Sequence, residues 1–136
     1  MKRIMAIDYG EKRCGIAVTD SLQIAAHGLE TLPTGKLLDF LRVYTKDEVV
    51  EKIVIGLPHH PDGTPSSNAA TIEKFAQKIS RLFPQIAVEL FDESYSSRDA
   101  REVILNSGAG KKKRRDKELV DKVAAVLILQ RYLKHI

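Results

Sequence analysis

The chain has 136 residues, 43% of them apolar and 29% charged, a size and balance that allow one domain to build its own core without a metal or disulfide staple. Lysine and arginine number 22 against 18 aspartates and glutamates, a net charge of +4 that suits a polyanionic partner without requiring one. Cys14 is the only cysteine, which excludes an intrachain disulfide and fits a reducing compartment. No apolar window reaches the length of a membrane span, and the run before Asp8 is too short for a secretory leader, so a cytoplasmic protein is expected.

Ile4, Ala6 and Asp8 share one parity and Met5 and Ile7 the other, as along a strand, and Tyr9-Gly10-Glu11-Lys12 supplies a turn. Arg13 to Thr19 reads as a second, antiparallel strand, and His27 to Leu32, closed by Pro33, as a third in the same meander. Leu37, Leu38, Leu41 and Tyr44 then recur at helical spacing, and Lys52 to Gly56 is a short apolar run typical of a buried strand. Leu57 to Ser67 holds three of the five prolines and the Asp62-Gly63 pair, which predicts an extended loop.

Ile72, Phe75, Ala76, Ile79 and Leu82 form a second amphipathic stripe, opening after the cap candidates Ser66, Ser67 and Asn68 and ending before Pro84. Ala87 to Phe91 is a further strand. Ser96 or Ser97 to Asn106 reads as a short helix ended by Gly108, and Glu118 to about Leu133 as a long one with Val123, Ala124, Leu127 and Ile128 on its apolar face. The order predicts one α/β domain over residues 1–136. Three antiparallel strands come first, later strands join in parallel through right-handed crossovers, and helices cover both faces of the mixed sheet.

Carboxylates fall at informative places in that order. Asp8 closes an otherwise apolar strand, where an ionised side chain is costly unless paired, solvated or bound to a metal; it can equally accept backbone hydrogen bonds and start the turn. Asp92-Glu93 follows directly on the strand ending at Phe91, where α/β sheets build their sites. Glu93 is favoured for chemistry, although spacing alone does not separate the two. Asp121 lies early in the last helix, where an acidic side chain also complements the helix dipole. Ala124 and Ala125, three and four residues on, share its face and are small enough to let the helix approach the sheet and carry Asp121 toward Asp8. Asp116 and Glu118 are alternatives nearer the basic loop. Asp8, Glu93 and Asp121 together make an all-oxygen set suited to one or two hard cations, Mg²⁺ or Mn²⁺. Such ions can activate water and stabilise the leaving oxygen in phosphodiester hydrolysis.

These residues carry a resemblance. Asp8 to Val18, Gly56-Leu57-Pro58 with Asp62-Gly63-Thr64, Asp92-Glu93, and Asp121 to Leu129 are similar, in order and nearly end to end, to the motifs of the YqgF/RuvX family of pre-16S ribosomal RNA nucleases, relatives of Holliday junction resolvases. The first motif alone also occurs in the phosphate-binding strands of actin-like kinases; four in the right order are specific. The resemblance implies a ribonuclease H-like fold, with Asp8, Glu93 and Asp121 as metal-binding catalytic carboxylates. It further implies endonucleolytic processing at the 5′ end of pre-16S rRNA in the cytoplasm. A four-way DNA junction is the alternative substrate, and a non-catalytic RNA-binding assembly factor the alternative role. Monomer and homodimer both remain open, a resolvase requiring the symmetric dimer. Ser94 stands where the family usually carries an arginine, which removes that side chain from any phosphate contact.

Lys111, Lys112, Lys113, Arg114 and Arg115 form a run between the second acidic site and the last helix. Such runs are commonly solvated loops, but beside a carboxylate site this one would contact phosphate. Lys12 and Arg13, next to Asp8, are weaker candidates for the same role. Gly108 to Lys112 lacks the first glycine and the hydroxyl residue of a phosphate loop. His59 and His60 are read as loop polarity. With no tryptophan and 6% aromatic residues, no base-stacking platform is evident, leaving recognition to backbone charge and shape.

Overall fold

Alternation along the first two strands gives the sheet two unlike faces, one of large aliphatic side chains and one of small ones. In the computed structural model, which describes residues 2–57, 67–92, 100, 102–104 and 117–134, the strands are β1 (Arg3–Tyr9), β2 (Arg13–Thr19), β3 (Ala26–Pro33), β4 (Val50–Leu57) and β5 (Ala87–Asp92). They form one sheet in the order β3-β2-β1-β4-β5. β2 runs antiparallel to β1 and β3, β4 parallel to β1, and β5 parallel to β4. This is the expected mixed sheet. The register shift between Arg3 and Ile4 accompanies a side-chain substitute for a ladder bond: the Ile4 amide donates to Thr19 Oγ1 at 2.9 Å, which satisfies the one buried polar residue of the described core.

The large face carries Met5, Ile7, Cys14, Ile16, Val18, Ile53 and Ile55 and packs under α1 (Leu37–Asp47) and α2 (Ala69–Leu82). Burying one such aliphatic side chain contributes about 1.5–3 kcal/mol, so this layer supplies most of the core. Two details differ from the sequence pattern. Leu82 is exposed, and Phe83 takes its place in the core, because the stripe Ala69, Ile72, Ala76, Ile79 continues to position 83 at a period of 3.6 residues. Asn68 occupies the N-cap position of α2 without a side-chain cap hydrogen bond.

The small face carries Ile4, Ala6, Ala17 and Val54 and packs under α3 (Lys117–Tyr132) through Ala125, Ile128 and Leu129. Ala124, expected to share in that approach, points elsewhere: with Val120 and Leu127 it packs against Ala100 and Ile104. α3 is therefore apolar on two sides rather than along the one face expected. Of the short helix expected from Ser96 or Ser97 to Asn106, Ala100 and residues 102–104 are described, and these are helical.

α3 lies very close to the sheet. A Cβ placed on Gly15 would overlap the Asp121 carbonyl oxygen, and one on Gly56 would come within 2.6 Å of Ile128 Cδ1. Thr31, register partner of Gly15, adds a hydrogen bond from its Oγ1 to the Glu118 carbonyl at 2.6 Å. The other end of the helix is clasped by Tyr132, whose hydroxyl donates to Glu89 Oε2 and accepts from Lys52 Nζ, both at 2.7 Å.

Gly15→Ala forces α3 off β2, and such overpacking costs about 1–3 kcal/mol or more. A fall in Tm of roughly 5–10 °C is expected. Gly35, whose added Cβ would meet nothing within 4 Å, is the control: Gly35→Ala should leave Tm nearly unchanged. Equal Tm values for the two variants would refute the close seat of α3.

Candidate active site

β1, β4 and β5 are mutually parallel and finish at the same end of the sheet, the end where open α/β sheets place their ligands. Asp8 stands there, next to last in β1 and opposite Gly15 on β2. Paired residues share a face, so Asp8 lies on the small face, above which α3 crosses. The strand end is fixed from below, where Tyr9 packs on Phe75 with ring centroids 4.5 Å apart. The following turn is tied to the start of α1: Thr34 Oγ1 donates to the Gly10 carbonyl at 2.7 Å and the Thr34 amide to the Lys12 carbonyl at 3.0 Å. Cys14 is buried beneath, with Sγ 3.4 Å from Thr34 Oγ1. Burial pushes its thiol above the ordinary range, so it serves packing rather than chemistry.

α3 brings Asp121 to this place. The backbone of Asp121 rests on Gly15, the residue opposite Asp8. The two carboxylates feel each other: burial first, and the charge of Asp121 second, raise Asp8 to about 7. Asp8 as a whole residue is half-buried. Arg13 faces the pair from β2, two residues before Gly15 and hence on the same face, diagonal to Asp8. Its Nε donates to Asp121 Oδ2 at 2.9 Å.

Of the expected site residues, the structure thus brings Asp8, Asp121 and Arg13 together, with Lys12 exposed on the adjoining turn. Asp92 is paired with Leu57, whose side chain belongs to the core of the opposite face, so Asp92 stands away from Asp8. Glu93, Ser94, His59, His60 and the run Lys111, Lys112, Lys113, Arg114 and Arg115 lie outside the described residues, as does Asp116. Glu118 is exposed. Among the described residues no group of three acidic, histidine or cysteine side chains forms a metal cluster; Asp8 and Asp121 are a pair. Gly15 and Thr31 seat α3 at this place, which the residue types alone do not announce. The signal for Gly15 is hairpin register, which sets it across from Asp8.

The donor chemistry of the pair fits a hard divalent cation. Burial first and the charge of Asp121 second oppose ionisation of Asp8, and a cation held by both carboxylates would offset that cost with the oxygen ligands it prefers.

This sheet order, with helices on both faces, is that of a ribonuclease H-like fold. Thermus thermophilus RuvC, solved in complex with a Holliday junction substrate, superposes with a TM-score of 0.56 at 16% identity over 98% of this chain and 96% of its own. A family model described as RuvX, Holliday junction resolvase, matches residues 2–135, and the chain belongs to that family. A Porphyromonas gingivalis protein named "Putative pre-16S rRNA nuclease" is 53% identical over 133 residues, 98% of this chain and 96% of its own length. One of the same name from Bacteroides fragilis is 48% identical over 134 residues, 98% and 97% of the two chains.

The pH dependence follows from the shifted carboxyl. Asp8 is raised in the folded protein from 3.8 to about 7. Its contribution to stability is therefore fully present below the unfolded value and lost as pH rises through the folded one. Asp8→Asn abolishes that loss. In EDTA the variant should match wild type in Tm near pH 4 and exceed it by roughly 3 °C or more at pH 8, the full shift setting an upper bound of about 4 kcal/mol. A difference in Tm that does not change with pH would contradict the raised carboxyl of Asp8.

Proposed function

We propose that the chain is a metal-dependent endonuclease that hydrolyses RNA phosphodiesters, acting in the cytoplasm on the 5′ end of pre-16S rRNA during ribosome biogenesis. The observation that carries this reading is the convergence of Asp8 and Asp121 at the end of the parallel strands, with Asp8 raised to about 7. The names of the relatives support the substrate, and the RuvC-like fold supports the chemistry. Among the described residues no helix is long and apolar enough to cross a membrane, which accords with the proposed compartment.

Asp8 and Asp121 would hold Mg²⁺ or Mn²⁺, with Glu93 as the third ligand. Glu93 is assigned because it directly follows β5 and Asp92 stands on the wrong face. Bound there, the ion supplies a polarised water as nucleophile and charge to stabilise the leaving oxygen. The protein's own part is positional. The seat on Gly15 holds Asp121 at the level of Asp8, so the ligands are set before substrate arrives. Lys12, on the exposed turn beside Asp8, is placed to contact a phosphate of the nucleic-acid backbone, and Lys111, Lys112, Lys113, Arg114 and Arg115 are proposed to do the same. Ser94 contributes no cation to that set.

A second reading, a resolvase cutting four-way DNA junctions, is favoured by the description of the family and uses the same carboxylates. Paired cuts would require a symmetric dimer.

Cleavage assays on a pre-16S 5′-leader RNA and a four-way DNA junction, each with Mg²⁺ or Mn²⁺, separate the readings. RNA cleavage by wild type is expected, falling about 100-fold or more in Asp8→Asn and in Asp121→Asn. Cutting of the junction alone would install the second reading. No metal-dependent cutting of either, or full activity in both variants, would overturn the proposal.

A further inference from the structure

Arg13 puts a fixed positive charge inside a site argued to hold a cation. Its guanidinium meets Asp121 through Nε at 2.9 Å, with the Arg13 side chain 33% and the Asp121 side chain 17% exposed. Asp121 Oδ2, which it holds, is one of the two oxygens this carboxylate can offer a metal ion. Arg13 and Asp8 are diagonal neighbours on one sheet face, so the guanidinium is already next to the place where a bound phosphodiester would lie. Guanidinium fits phosphate as well as it fits carboxylate, and a partly exposed ion pair exchanges partners at small cost.

We propose that Arg13 is an exchangeable internal counter-ion: it holds Asp121 while no divalent cation is bound, gives up Asp121 to the cation, and turns to a phosphate of the nucleic acid. Charge balance argues for the exchange. With Glu93 as the third ligand, the three ionised carboxylates and Arg13 sum to two negative charges, which a divalent cation neutralises. Arg13 then loses most of its attraction to the carboxylates, and its released guanidinium is available to an anionic backbone. Metal and nucleic acid thereby promote each other's binding through one side chain, and by linkage the coupling is the same in both directions. A permanent structural clasp between β2 and α3 would give no such coupling. The inference rests on the metal site proposed above.

Titration calorimetry of Mn²⁺ into wild type, Arg13→Gln, Arg13→Lys and Asp8→Asn, without nucleic acid, tests it, with far-UV circular dichroism confirming that each variant folds. Arg13→Gln should bind Mn²⁺ about fivefold or more tightly than wild type, because the competing charge is gone, and Arg13→Lys should fall between. Fluorescence anisotropy with a labelled 5′-leader RNA should show that Ca²⁺, used as an ion that does not support turnover, tightens RNA binding to wild type by a similar factor but not to Arg13→Gln. Equal or weaker Mn²⁺ binding by Arg13→Gln, with binding lost in Asp8→Asn, would overturn the exchange and leave the metal site standing. Unchanged Mn²⁺ binding in Asp8→Asn would remove the metal site, and the exchange with it.

Discussion

The seat of α3 on β2 at Gly15 is the contact on which the rest of the molecule depends. Helices usually rest on a sheet through side chains, which hold their backbones well apart. Here the helix backbone at Asp121 touches the sheet backbone at Gly15, and the residue across the hairpin from Gly15 is Asp8. One approach therefore settles how far Asp121 stands from Asp8. Ala6 and Ala17 extend the same shallow floor. The contrast with the opposite face, where Met5, Ile7, Ile16 and Ile53 hold α1 and α2, divides the work of the sheet: one face supplies stability, the other geometry.

That geometry has an electrostatic cost. Burial and a second carboxylate both disfavour ionisation, and together they raise Asp8 to about 7. Arg13 meets part of the cost at Asp121. A fold under no functional demand would replace such a cluster with apolar side chains at no loss of stability. Strain held at an acidic pair, at the strand ends and beneath a close-packed helix, is what a cation site requires when its ligands must be set before the ion arrives.

Much of this was legible in the sequence. β2 runs from Arg13 to Thr19 as read; β1 was announced by parity, β4 by its apolar run and α1 and α2 by helical spacing, because those patterns record burial directly. The match to a known order of motifs pointed to Asp8 and Asp121 before either could be located. What the sequence withheld was relational. Ala124 and Ala125 are the same residue type one position apart, yet only Ala125 meets the sheet, a choice made by helix rotation. Arg13 read as a phosphate contact because its partner, Asp121, is 108 residues away. Leu82 and Phe83 compete for one core position, and only the phase of α2 decides in favour of Phe83.

The account's central claim is that Asp8 and Asp121 are two ligands of one cation. A crystal structure from crystals soaked in Mn²⁺ at pH 8, with data collected at the manganese absorption edge, tests it most directly. The account predicts an anomalous peak bridging the carboxylates of Asp8 and Asp121, at oxygen distances of about 2.0–2.2 Å. Manganese peaks elsewhere, with none between these two carboxylates, would contradict it.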